Sequence, residues 1–195
     1  MMTPMRIGLL GSGVVGQALD AGYRRHGHET RIGTRESFGE VAAWCELAVL
    51  AVAGSAAVDV VTGVADALSG KVLVDATNPL DHSTGTPRLF VGFDDSLGER
   101  VQRAAPQARV VKAYNIVGNA LMVDPQLPGG PPTMLIAGDD DAAKATVTSL
   151  LRDTGWDVSD LGGIEASRYL EPICLAWVLH GIHTGTWGHA FKLLG

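Results

Sequence analysis

Cysteine is scarce in this chain. Cys45 and Cys174 are the two present in 195 residues, and neither falls in a C-x-x-C pattern. That spacing excludes a disulfide framework and a thiolate zinc site, and it suits a reduced thiol pair in the cytoplasm. Long apolar runs are missing too. No stretch reaches the roughly 18 residues that a membrane span requires, and the start, "MMTPMRIGLLGSG", lacks the apolar core of a secretory signal. Positive charge is in deficit, with Lys and Arg numbering 15 against 21 Asp and Glu, for a net charge of −6. That balance argues against a general nucleic-acid or anionic-membrane surface. Repeats and low-complexity tracts are absent. The expectation is a cytoplasmic protein with neither nucleic acid nor membrane as partner.

What is present is an ordinary globular composition, 46% hydrophobic and 18% charged, in short apolar runs that alternate with helical segments. "MRIGLL" (5–10), "ETRIG" (29–33), "LAVLAVAG" (47–54), "KVLVDATNP" (71–79), "RVVKAYN" (109–115) and "TMLIAG" (133–138) read as strands. Helical spacing links most of them. The 80–96 segment is a Gly/Pro/Ser/Thr/Asp-rich connection and a candidate lid, and an apolar helical segment runs from 165 to 194. The fold class expected is α/β: one doubly wound, mostly parallel sheet of the NAD(P)-binding Rossmann type. A sheet core (1–162) and a small helical C-terminal lobe (163–195) would make up a single domain, 1–195.

Gly11-Ser12-Gly13-Val14-Val15-Gly16 is a full G-x-G-x-x-G, set between the first strand and the first helix. Alone the pattern is weak in a chain with 25 glycines; its strand–turn–helix context makes it a phosphate loop. Gly11 allows the tight turn, Gly13 admits the pyrophosphate to the backbone, and Gly16 packs helix on strand.

The residue that reads the adenosine ribose stands at the end of the second strand, about 20 residues further on. Glu29 begins that strand and belongs to the opposite edge. At the right edge stand Gly33, Thr34, Arg35 and, two residues on, Ser37, with Glu36 free to turn outward. A guanidinium flanked by hydroxyls suits a 2′-phosphate, because its planar fork donates paired, charge-assisted bonds. The dinucleotide expected is therefore NADP(H).

With "GLLGSGVVGQAL", "IGTRES", "VDATNPL" and "VVKAYNIVG" in this order, the chain resembles the NADP-dependent reductases of the deazaflavin coenzyme F420. That family includes the reductase domains of six-transmembrane metalloreductases. The resemblance runs from about residue 5 to 195 and is strongest through Gly118. It implies that Thr34 and Arg35 hold the 2′-phosphate, and that a hydride passes between NADP(H) and a deazaflavin, flavin or related small-molecule acceptor. With no transmembrane segments after the sheet, a membrane metalloreductase is not expected.

Ligands of such sheets lie beyond the carboxyl ends of the strands. Those ends supply Ala53 and Gly54, Thr77, Asn78 and Pro79, and Asn115. Ala53 and Gly54 would let the cofactor pass close to backbone. Asn78 and Asn115 are the candidates to touch nicotinamide and acceptor ring, against the plainer reading that they cap turns. Lys112 falls inside a strand, which favours an ion pair over catalysis. His180, His183 and His189 lie in an apolar helix without a carboxylate at motif spacing, so no metal is expected. That helix is either a homodimer contact or a wall of the acceptor pocket. Two other functions stay open: a small keto or imine reductase, and a catalytically silent NADP(H)-binding redox sensor.

Overall fold

The computed structural model describes residues 2–83 and 85–195. In chain order the elements are β1 (Arg6–Leu10), α1 (Val14–Arg25), β2 (Glu29–Gly33), α2 (Phe38–Trp44), β3 (Leu47–Leu50), α3 (Gly54–Val64), β4 (Val72–Asp75), β5 (Leu80–Asp81), β6 (Arg88–Leu89), α4 (Leu97–Ala104), β7 (Arg109–Lys112), β8 (Thr133–Gly138), α5 (Asp141–Asp153), β9 (Asp157–Asp160) and α6 (Ser167–Thr184). Seven strands form one sheet in the order β2-β1-β3-β4-β7-β8-β9. The first five of these run parallel, β8 is antiparallel to β7, and β9 is parallel to β8.

The apolar strands are explained by cover on both faces. Ile7, Leu9, Val49, Val74 and Val111 point into one cluster with Leu19 and Tyr23 of α1 and Val147 of α5. Their alternates Leu10, Ala48, Leu50, Leu73 and Val110 point into a second, with Val41 of α2, Val61 of α3 and Val101 of α4. Between β1 and β3 the order reverses, because β1 has β2 on one side and β3 on the other. Crevices for ligands form at such a switch point.

Three strands are shorter than the sequence suggests, and each stops for a local reason. β3 ends at Leu50, opposite Leu10, where β1 itself gives way to the turn at Gly11. β4 ends at Asp75, whose carboxylate accepts the backbone N–H of Thr77 at 2.9 Å and bends the chain. β7 ends at Lys112, two residues before Tyr114 adopts a left-handed φ of 63°. The 80–96 connection contains the small antiparallel pair β5–β6. The edge strand β9, "DVSD", had no apolar run to announce it. The C-terminal helix stops well short of residue 194: Gly185, at φ 71°, ends α6, as helices commonly end at a left-handed glycine. The segment beyond folds back, with Thr133 N–H donating to Phe191 O and Trp177 Nε1 to His189 O.

Candidate functional site

The register of β1 on β2 builds the site. Leu10 pairs with Gly33, so the phosphate loop and the Thr34–Ser37 turn emerge side by side, whereas Glu29 pairs with Arg6 at the far end. Gly11 has φ 141°, and a Cβ there would lie 2.2 Å from the carbonyl oxygen of Ala51. A Cβ on Gly16 would lie 2.0 Å from Gly11 O, so helix and turn touch backbone to backbone. Gly13 differs: it caps α1 in extended conformation, and a Cβ there would meet nothing within 4 Å. As the cap residue it stands next to the first-turn N–H groups of α1, where an anion is favoured. Gln17 braces the loop by donating Nε2–H to Ser12 O at 3.0 Å.

A cleft of about 410 Å³ runs from Gly11, Ser12 and Gly13 to Thr34, Arg35 and Glu36, floored by Phe38, Ala51, Val52, Ala53, Ala56 and Val60. It continues into a slot of about 510 Å³ between α2 and α3, lined by Arg35, Phe38, Gly39, Ala56, Asp59, Val60, Gly63 and Val64. Phosphate loop and Arg35 thus share one continuous groove. Arg35 is exposed and has no hydrogen bond or ion pair among the described residues. Val14 projects into solvent, and Val15 packs on the core face of α1.

Glu36 corrects the sequence reading. The side chain is exposed but does not point away from the turn: Thr34 Oγ1 donates to Glu36 Oε2 at 2.6 Å. That bond, with a smaller contribution from Arg35, lowers the Glu36 pKa below the ordinary glutamate range. Ser37 Oγ accepts the Thr34 N–H at 2.9 Å and does not line the cleft.

At the far end, several residues singled out from the sequence serve the protein's own frame. The space a Cβ would fill at Gly54 is taken by Asn78 O, 1.9 Å from that position. Ala53 remains on the groove wall. Thr77 is buried, with Oγ1 donating to Asp75 Oδ1 at 2.6 Å, so its hydroxyl points inward. Pro79 is buried and its carbonyl accepts Phe90 N–H at 2.9 Å. Asn78 and Asn115 clasp each other: Asn78 Nδ2 donates to Asn115 O at 2.8 Å, and Asn115 Nδ2 to Asn78 Oδ1 at 3.2 Å. Asn115 is 2% exposed and also donates to Leu170 O at 3.0 Å. Those bonds tie it to Asn78 and to α6. Asn78 is half-buried and keeps a second amide hydrogen.

Lys112 is fully buried, as an ion-pair residue. Its Nζ donates to Asp75 Oδ2 at 2.9 Å and Thr77 O at 2.8 Å, and lies 3.1 Å from Glu171 Oε1. Burial alone would push the ammonium down; Asp75 and Glu171 outweigh it and raise it above the ordinary lysine value. Glu171 in turn accepts the N–H groups of Leu97 and Gly98 at the start of α4. The sequence held a signal for this network, since Asp75 and Lys112 are opposite charges at paired positions of adjacent apolar strands. Nearby, burial pushes the Tyr114 hydroxyl and the Cys174 thiol each up to about 12, so neither ionises at neutral pH. His180 and His189 meet edge-on at 4.4 Å beside Trp177. Among the described residues no group of three or more His, Cys, Asp or Glu is placed to hold a metal, and no helix is long and apolar enough to cross a membrane.

Chemically, the groove offers backbone amides, the exposed Arg35 guanidinium and the carboxylates of Glu36 and Asp59. That set can take a polyanion at the loop and Arg35, and it supplies no activated nucleophile.

No protein-family model matches the sequence. A solved structure from Arthrobacter sp. FB24, provisionally assigned as an F420-dependent NADP-reductase, superposes with a TM-score of 0.94 at 37% identity, over 98% of this chain and 100% of that one. The F420-dependent NADP reductase of Methanothermobacter marburgensis is 30% identical over 138 residues, which are 69% of this chain and 62% of that protein. The metalloreductase STEAP3 of Rattus norvegicus is 35% identical over 112 residues, 57% of this chain and 21% of that protein. The chain thus spans less than two thirds of the length of these two curated relatives. The chain belongs to the family of the F420-dependent NADP reductases.

Proposed function

We propose that residues 1–195 act as one unit that binds NADP(H) along the groove and passes a hydride between it and an oxidised deazaflavin of the F420 type or a flavin. The observation that carries this reading is the continuity of the groove from Gly13 to Arg35. The α1 N-terminus and the Ser12–Gly13 amides hold the pyrophosphate, Thr34 and Arg35 take the 2′-phosphate, and the slot beside Phe38 takes the adenine. The dinucleotide these residues would hold would supply or accept the hydride at its nicotinamide end. At that end Ala53 would let it lie against backbone, and Asn78, held by Asn115, would offer its remaining amide hydrogen to a ring. Hydride transfer between two rings needs donor and acceptor carbons held about 3–3.5 Å apart with water excluded, and no protein acid or base. The absence of an activated nucleophile from the groove-lining residues suits that demand.

The names of the Arthrobacter and Methanothermobacter relatives support F420 as acceptor. The two buried free cysteines suit a reducing cytoplasm. The exposed Tyr169, Leu179 and Ile182 of α6 form the face proposed for a homodimer.

The test is to mix the protein with NADPH and oxidised coenzyme F420, FMN or FAD in turn, and to follow each acceptor's visible absorbance. Bleaching of F420 is expected. Tight NADPH binding without turnover on any acceptor would contradict the enzymatic reading and leave a binding module.

A further inference from the structure

Resting on the 2′-phosphate reading, we propose that Glu36 is a specificity-determining residue: its carboxylate stands at the ribose 2′ position and offsets the preference for NADP(H) that Arg35 confers.

Thr34 has one hydroxyl hydrogen, and it is committed to Glu36 Oε2 at 2.6 Å. A carboxylate and a phosphate are both acceptors only, so they cannot share that hydrogen. When a 2′-phosphate enters, the Thr34–Glu36 bond breaks and two anions come to face each other. A ribose 2′-hydroxyl makes no such demand, because it can itself donate to the carboxylate, as acidic residues at this position do for NAD(H). Three facts keep Glu36 in place for this role. It lines the same groove as Arg35; among the described residues it forms no ion pair that would draw it elsewhere; and its lowered pKa keeps it charged at neutral pH. Arg35 supplies counter-charge to the phosphate and Glu36 supplies repulsion, so the pair together sets the ratio of the two affinities. The guanidinium serves the phosphorylated dinucleotide, and the carboxylate serves the unphosphorylated one.

The experiment measures dissociation constants of NADPH and NADH by fluorescence titration, for the wild type, Glu36→Gln and Arg35→Ala. Both side chains are exposed, so the variants fold. Glu36→Gln removes the charge and adds a donor. Tightening for NADPH of about fivefold and weakening for NADH of about twofold or more are expected, which moves their ratio about tenfold. A ratio within twofold of wild type, or weaker NADPH binding in Glu36→Gln, would overturn the proposal. Arg35→Ala separates the two possible failures. If NADPH binding survives that change, the 2′-phosphate reading itself falls, whereas if Arg35→Ala weakens NADPH and Glu36→Gln moves nothing, only the role of Glu36 is lost.

Discussion

Lys112 Nζ stands 3.1 Å from Glu171 Oε1, a fully buried contact that ties β7 to α6 beneath the carboxyl edge of the sheet. The same ammonium holds Asp75 at the end of β4, and the same carboxylate caps the start of α4. One lysine therefore fixes the height of three elements on which the acceptor side of the groove depends.

Lys112→Met leaves Asp75 and Glu171 buried without a counter-charge, and should cost about 3–5 kcal/mol of stability. Urea or guanidinium unfolding measures this, and a loss below about 1 kcal/mol would contradict the role. Because the lysine's folded pKa is raised, its contribution is complete below the ordinary lysine value of about 10.4 and is lost only as pH rises through the folded pKa. The variant's deficit should therefore be flat across the neutral range.

Gly11 and Gly13 should separate under the same substitution. Gly11→Ala places a Cβ 2.2 Å from Ala51 O at a positive φ, and is expected to cost about 1–3 kcal/mol or more. Gly13→Ala meets open space at φ −73°, so stability should stay within about 0.5 kcal/mol of wild type or rise. Yet that methyl occupies the approach of the pyrophosphate, and affinity for NADPH and NADH alike should fall at least about tenfold. Thermal unfolding and nucleotide titration of both variants check the contrast.

Asn78 and Asn115 should differ in kind. Asn115→Ala leaves Leu170 O and Asn78 Oδ1 without their donor and should cost about 1–3 kcal/mol of stability. Asn78→Ala, at a half-buried position, should chiefly lower kcat with the acceptor while the dissociation constant for NADPH stays within about threefold. Equal kinetic loss in both with unchanged stability would contradict the assignment of Asn115 as the positioning partner.

The pH dependence of stability should show Asp95. Partial burial works to raise its pKa, but bonds from Arg100 and Arg103 prevail and hold it at about 2. A folded pKa below the unfolded value of about 3.9 means that the stabilisation is present above that value and is lost as pH falls towards 2. The difference in Tm between wild type and Asp95→Asn should be constant from pH 7 to about 5 and close between about 4 and 2. A difference that persists at pH 2 would contradict this.

The juxtaposition of the glycine-rich loop and the Thr34–Ser37 turn was legible because its information is local. "GLLGSGVVGQ" and "IGTRES" each carry strand, turn and helix in one short stretch, and strand position alone placed Thr34 beside the phosphate loop and Glu29 at the far edge. What was not legible depends on partners distant in sequence. Thr77 turns inward because Asp75 and Lys112 draw it there, Asn115 because Leu170 and Asn78 do. Gly54 must be small because Asn78 O takes its Cβ space. Glu36 folds back on the turn because its neighbour Thr34 offers a donor, a choice of rotamer that residue identity leaves open. β9 has no apolar alternation, since as an edge strand it is specified by pairing with β8.

Under the proposed function, the groove between the phosphate loop and Arg35 holds NADP(H) by its 2′-phosphate. This is tested most directly by titrating NADPH and NADH into the wild type and Arg35→Ala. The substitution should weaken NADPH by about tenfold to a hundredfold and leave NADH nearly unchanged. Equal loss for both, or no loss for NADPH, would contradict it.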